Sequence, residues 1–101
     1  MSQFITGLSY ASWERDSELL EVAASKSERT GLLDAWHLNQ ASAMETSIID
    51  ELMMVDDLRE LSDPETAAAL EDVRTRLAAI QERVHIARRR MGQLQRPDLV
   101  D

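Results

Sequence analysis

Two short units in this chain have residue types and spacing suited to metal chemistry: Asp34-Ala-Trp-His37 and Glu82-Arg-Val-His85. On a helix, a carboxylate three residues before a histidine puts both side chains on one face. Di-iron bundles use Glu-x-x-His from two helices together with a carboxylate from each of two others. The match is incomplete. Asp34 is a short ligand where the motif prefers Glu, and Glu82 and His85 fall away from the apolar seam of their own helix. When the two helices are folded together, the units are offset by about six residues, or roughly 9 Å. Local contacts between residues three apart account for both, so no metal and no cofactor is expected.

His37 and His85 are the only histidines, so acid–base catalysis would need one of them or a carboxylate. Serines are plentiful, but no G-x-S-x-G or S-x-x-K unit contains them; Ser9, Ser12, Ser17, Ser25 and Ser27 read as caps and loop residues. The chain has 3 glycines and no phosphate-binding loop. It has no cysteine, which removes disulfides, thiolate nucleophiles and cysteine metal sites and suits a reducing cytoplasm. The chain is therefore read as a cytoplasmic protein without catalytic activity.

Charge narrows the partners. The net charge is −8, a sign that repels nucleic acid and anionic lipid. It is unevenly spread: residues 1–69 carry 14 acids against 4 bases, while residues 70–96 carry 7 arginines against 3 acids. Arg88-Arg89-Arg90 is a candidate for phosphate or an acidic partner. With no aromatic residue among the three, it reads instead as a helix end where cations meet the dipole. The longest uncharged runs, 1–13 and 35–44, are too short to span a bilayer. Met1–Trp13 lacks the basic start of a secretory signal.

The elements that would position these residues are helical. With 3 glycines, 2 prolines and 4% aromatics, a 101-residue chain has few turn-makers and few strand-formers. Leu70, Val73, Leu77, Ile80, Val84, Ala87, Met91 and Leu94 repeat at alternating spacings of three and four, a seam along one helix. Ser62-Asp63-Pro64-Glu65 starts it, either as a capping box from Ser62 to Glu65 or as Asp63 followed by Pro64 at the first helical position. Gly92 and Pro97 supply stop signals. Ala41, Met44, Ile48, Leu52, Val55 and Leu58 mark a second helix. Trp13, Leu20 and Ala24, with Leu19 and Ala23 beside them, mark a shorter third, and the polar stretch Ser25–Gly31 marks a break. The expected division is a single domain with an arm at 1–12, helices at 13–26, 32–61 and 64–93, and a tail at 94–101. Phe4, Ile5 and Leu8 would form a further turn or a docking arm.

A loop as short as Ser62–Asp63 forces its two helices to lie antiparallel and adjacent. A register centred on that loop sets Val55 opposite Leu70, Leu52 opposite Val73, Ile48 opposite Leu77 and Ala41 opposite Val84, with Glu51 facing Arg74. The fold class is thus all-α: a long antiparallel, coiled-coil-like hairpin with an N-terminal helix, closed as a three-helix or dimeric bundle. One hairpin cannot hide all the apolar surface. Ile49 and Met53 lie on one flank of the middle helix and Met54 and Leu61 on the other. Ile86 sits behind the last seam.

These leftover residues, with Trp36 as an anchor, are the candidate partner-binding set: Trp36, Ile49, Met53, Met54, Leu61 and Ile86. The implied function is a protein-interaction module that binds a partner or a second copy through an apolar helix face. An adaptor, a secretion-type chaperone or an inhibitor of a larger complex would each suit. In outline the hairpin resembles the small helical chaperones of bacterial secretion systems, a likeness of shape with no motif behind it. A second class of function is an acidic decoy, as in phage-encoded anti-defence proteins. There Glu45, Asp50, Glu51, Asp56, Asp57 and Glu60 would stand in for the phosphates of DNA or RNA.

Overall fold

The computed structural model describes the backbone of residues 7–95 and the side chains of residues 12–94. Three helices follow one another: α1 (Gly7–Thr30), α2 (Ala35–Leu61) and α3 (Pro64–Gln95). No strand occurs among the described residues. The helices form an elongated bundle, 51 × 27 × 19 Å. α3 is the central member, packed against both others, while α1 and α2 touch only marginally.

Each turn has an identifiable cause. α1 ends because Gly31 takes a left-handed conformation, φ 72, which glycine reaches at no steric cost, and its N–H closes onto the Ser27 carbonyl at 2.8 Å. α2 begins at a cap. The Asp34 carboxylate accepts the His37 N–H at 3.1 Å, and its other oxygen lies 2.6 Å from His37 Nδ1. Between α2 and α3, Asp63 accepts the Thr66 N–H at 2.8 Å, so the Asp63–Pro64 start is the one used. The Ser62 hydroxyl turns back to the Leu58 carbonyl at 2.6 Å.

The boundaries differ from expectation in four places. The polar stretch Ser25–Thr30 is helical rather than a break, because Ser27 is buried against the bundle and Arg90 holds Ser25 and Glu28 from α3. Leu32 and Leu33 belong to the loop rather than to α2, since the Asp34 cap fixes the first turn after them. α3 runs through Gly92 to Gln95, so the arginine triplet lies inside the helix rather than at its end. The expected N-terminal arm is helical from Gly7 onwards. Phe4 and Ile5 lie outside the described residues, as does the side chain of Leu8.

The core is one thin seam. Ala41, Ile48 and Val55 of α2 meet Leu77, Ile80, Val84, Ala87 and Met91 of α3, and Leu20, Ala23 and Ala24 of α1 close the other side. Met44, Leu52, Leu70 and Val73 pack at its edge. Ser17 and Ser27 also occupy seam positions, spaced with Trp13, Leu20 and Ala24 by fours and threes. They are not caps or loop residues. A buried serine satisfies itself locally: the Ser17 hydroxyl donates to the Glu14 carbonyl at 2.8 Å and accepts Arg83 Nη1 at 3.1 Å. Such small residues let α1 approach α3 closely.

Candidate interaction surface

Ion pairs fix how the helices sit side by side. Between α2 and α3, Arg74 Nε donates to Asp56 Oδ1 at 2.6 Å, Arg59 pairs with Glu71, and Arg88 Nε donates to Glu45 Oε1 at 2.6 Å. Arg74 therefore meets Asp56 and not Glu51. Asp56 lies about one helical turn nearer the loop than Glu51, a distance that an arginine side chain spans. Between α1 and α3, Arg83 approaches Glu21 at 3.7 Å, and Arg90 Nη2 donates to Glu28 Oε1 at 2.6 Å. Ascending numbers meet ascending numbers, so α1 runs parallel to α3.

Glu45 corrects the acidic-surface set most clearly. It is 9% exposed and accepts Arg88, His85 Nδ1 at 2.8 Å and Gln81 Nε2 at 3.1 Å. Burial pushes its carboxyl up, but the hydrogen bonds from Arg88 and His85 outweigh it and hold the group below its ordinary value. His85 thus faces α2 and not the back of α3, and it pairs with Glu45 rather than with Glu82 three residues before it. Asp56 is likewise engaged, and the hydrogen bond from Arg74 lowers its carboxyl. Asp50, Asp57 and Glu60 are exposed. Glu51 is half-buried, and it has no hydrogen bond or ion pair among the described residues; burial and the neighbouring Asp50 raise its carboxyl.

The two carboxylate-x-x-His units are thereby separated. His37 is held by its own cap residue Asp34 and His85 by Glu45. No group of three or more metal-ligating side chains gathers among the described residues. Within the arginine triplet, Arg88 clamps α2 and Arg90 clamps α1, which is what a basic central helix between two acidic ones achieves.

The apolar candidates do not form one surface. Trp36 is 65% exposed and overlooks a cleft of ≈ 140 Å³ between α1 and α2, lined by Asp16, Leu19, Leu20, Trp36, His37, Gln40 and Met44. Ile49 lies on the opposite flank of α2, in a shallow depression with Glu45, Thr46 and Arg88, and exposed Met53 is one turn further on. Trp36 and Met53 are 17 residues apart along one helix, or about 25 Å. Met54 is half-buried, Leu61 is exposed at the α2 end, and Ile86 is exposed on α3.

Several exposed large apolar residues lie outside the candidate set. Leu19 and Val22 on α1, Leu32 and Leu33 in the loop, and Trp36 at the start of α2 are all exposed. Leu19 and Trp36 share the cleft. Val22 is one turn from Leu19, and the two loop leucines lead directly into Trp36. A sequence signal for this existed: reading Asp34 as a helix cap would have left Leu32 and Leu33 outside α2. No helix among the described residues is long and apolar enough to cross a membrane. No protein-family model matches the chain, and comparison with curated proteins and with solved structures gives no match.

Proposed function

We propose that this chain is a small, non-catalytic protein-interaction module of the cytoplasm, an adaptor, chaperone or inhibitor that binds through the apolar cleft between α1 and α2. The observation that carries the reading is the pair of exposed large apolar side chains at that cleft, Leu19 and Trp36, with exposed Val22, Leu32 and Leu33 close to them in the chain. Single exposed leucines are ordinary on a folded surface. A group that includes a tryptophan standing over a cleft has the composition of a contact surface. The decoy reading is less well supported, since two of its six carboxylates, Glu45 and Asp56, already have arginine partners.

The test is affinity capture from the native host with intact-mass measurement of the complex, using wild type and Trp36→Glu. Trp36 is exposed, so the substitution leaves the helical circular-dichroism spectrum intact. Loss of the captured partner with Trp36→Glu is the expected result. Capture that survives Trp36→Glu but is lost with alanine at Asp50, Asp57 and Glu60 overturns the reading in favour of the decoy.

A further inference from the structure

We propose that the occupant of the α1–α2 cleft is a basic amphipathic helix of a partner protein, seated as the fourth helix of a bundle, with its cations directed at Asp16 and Glu51. This rests on the interaction reading above and names the chemistry of the partner.

Three features of α2 and its neighbours point to such an occupant. α2 carries two seams. The first, through Ala41, Ile48 and Val55, is buried against α3. The second runs through Met44, Ser47, Glu51, Met54, Leu58 and Leu61, at alternating spacings of three and four. A helix with two such seams is built for two helical neighbours, yet α1 meets α2 only marginally. Leu58 and Leu61 on the second seam are exposed, and its Met44 end opens into the cleft.

The charge of the cleft selects the partner. Asp16 is the one acid among its lining residues, and no lysine or arginine is among them. His37, also at the lining, is tied to Asp34. Two turns along from Met44 on the same flank stands Glu51, half-buried with no cation facing it among the described residues. On the opposite flank of α2, Glu45 and Asp56 each have an arginine from α3. A carboxylate drawn partly out of water asks for such a partner, and for Glu51 it has to come from outside. Large apolar side chains at helical spacing flanked by lysine or arginine match a groove with an apolar floor and acidic edges. A second copy docked cleft to cleft does not fit, because it would bring the same acidic edges.

The experiment uses the full chain and two synthetic 18-residue helical peptides with the same leucine face, one flanked by lysine and arginine, the other by glutamate. Affinities are read by isothermal titration calorimetry. The basic peptide is expected to bind at least about tenfold more tightly than the acidic one, because like charges oppose docking. Leu19→Arg and Trp36→Ala should each weaken the basic peptide about tenfold. Glu51→Gln should weaken it by roughly threefold to tenfold, while Glu82→Gln, an equal charge change on the far side of α3, leaves it unchanged.

Equal affinity for both peptides, or no binding of either, overturns the basic-helix occupant. If Trp36→Glu still abolishes capture of the native partner, the interaction reading survives that failure; if it does not, both fall. A mass of twice 11.4 kDa at low salt, returned to the single value by Leu19→Arg, assigns the cleft to a second copy and also overturns the proposal.

Discussion

At the scale of single residues, α2 carries two glutamates whose surroundings act in opposite directions. Glu45 is nearly enclosed and accepts hydrogen bonds from Gln81, His85 and Arg88. Glu45→Ala leaves three polar groups at the helix interface without their acceptor, which costs about 1–3 kcal/mol. A urea titration with unchanged m-value checks it. The lowered carboxyl also sets a pH dependence. A group with a depressed folded-state pKa contributes stability in full above its unfolded value, here the ordinary 4.5, and loses it as pH falls through the folded value. Wild type should therefore weaken below that pH more steeply than Glu45→Ala, in melts run from pH 7 to pH 3. Glu51 has the reverse sign. Burial and Asp50 raise its carboxyl, so its charge opposes folding at neutral pH and the opposition fades as pH falls through the raised value. Glu51→Gln should stabilise the isolated protein at pH 7, a gain that disappears in acid. The same substitution weakens the basic peptide, so the two measurements move in opposite directions.

At the scale of elements, Gly31 and Gly92 make opposite predictions. Gly92 sits inside α3, and a Cβ added there meets nothing within 4 Å, so Gly92→Ala should raise stability by about 0.5–1 kcal/mol. Gly31 is equally open but has φ +72, so Gly31→Ala forces an L side chain into the left-handed region and should cost about 1 kcal/mol. Thermal melts of the two variants should move apart from wild type in opposite senses. This pair also shows what the sequence could and could not convey. The seams of α2 and α3 were legible because Ala41, Ile48, Val55, Leu77 and Val84 are apolar and evenly spaced. So was the turn at Asp63–Pro64. The extension of α1 past residue 26 was not, because its seam there is filled by Ser27, which looks like a loop residue until its burial is seen. Gly92 read as a stop because local propensity favours one, but the packing of Met91 on the core carries α3 past it. The pairing of Arg74 with Asp56 was not legible either, because a guanidinium reaches far enough along the interface to choose Asp56 over Glu51. The cleft depends on where α1 sits, and periodicity within one helix carries no information about that.

At the scale of the whole molecule, charge and apolar surface together give the last prediction. Across the helix interfaces Arg59, Arg74, Arg83, Arg88 and Arg90 are already engaged with acids. The acids left over, among them Asp16, Asp50, Asp57 and Glu60, give the exposed surface its excess of negative charge, in keeping with the net −8. Two copies approaching cleft to cleft bring Asp16 toward Asp16 and Glu51 toward Glu51 while offering Leu19 and Trp36 to each other. Repulsion and apolar attraction then oppose one another, and salt decides between them, since screening shortens the reach of the charges to about 10 Å at 0.1 M and about 3 Å at 1 M without weakening the apolar term. Self-association should therefore be weakest at low salt and increase as sodium chloride is raised. Binding of the basic peptide should do the reverse, losing affinity over the same range because its charges attract. Sedimentation equilibrium of the chain alone and calorimetry with the peptide, each from about 20 mM to 1 M salt, about a sevenfold span of screening length, give the two slopes. Opposite slopes are what an apolar cleft with acidic edges produces. If peptide binding were insensitive to salt, the contact would be apolar alone and Asp16 and Glu51 would have no part in selecting the partner.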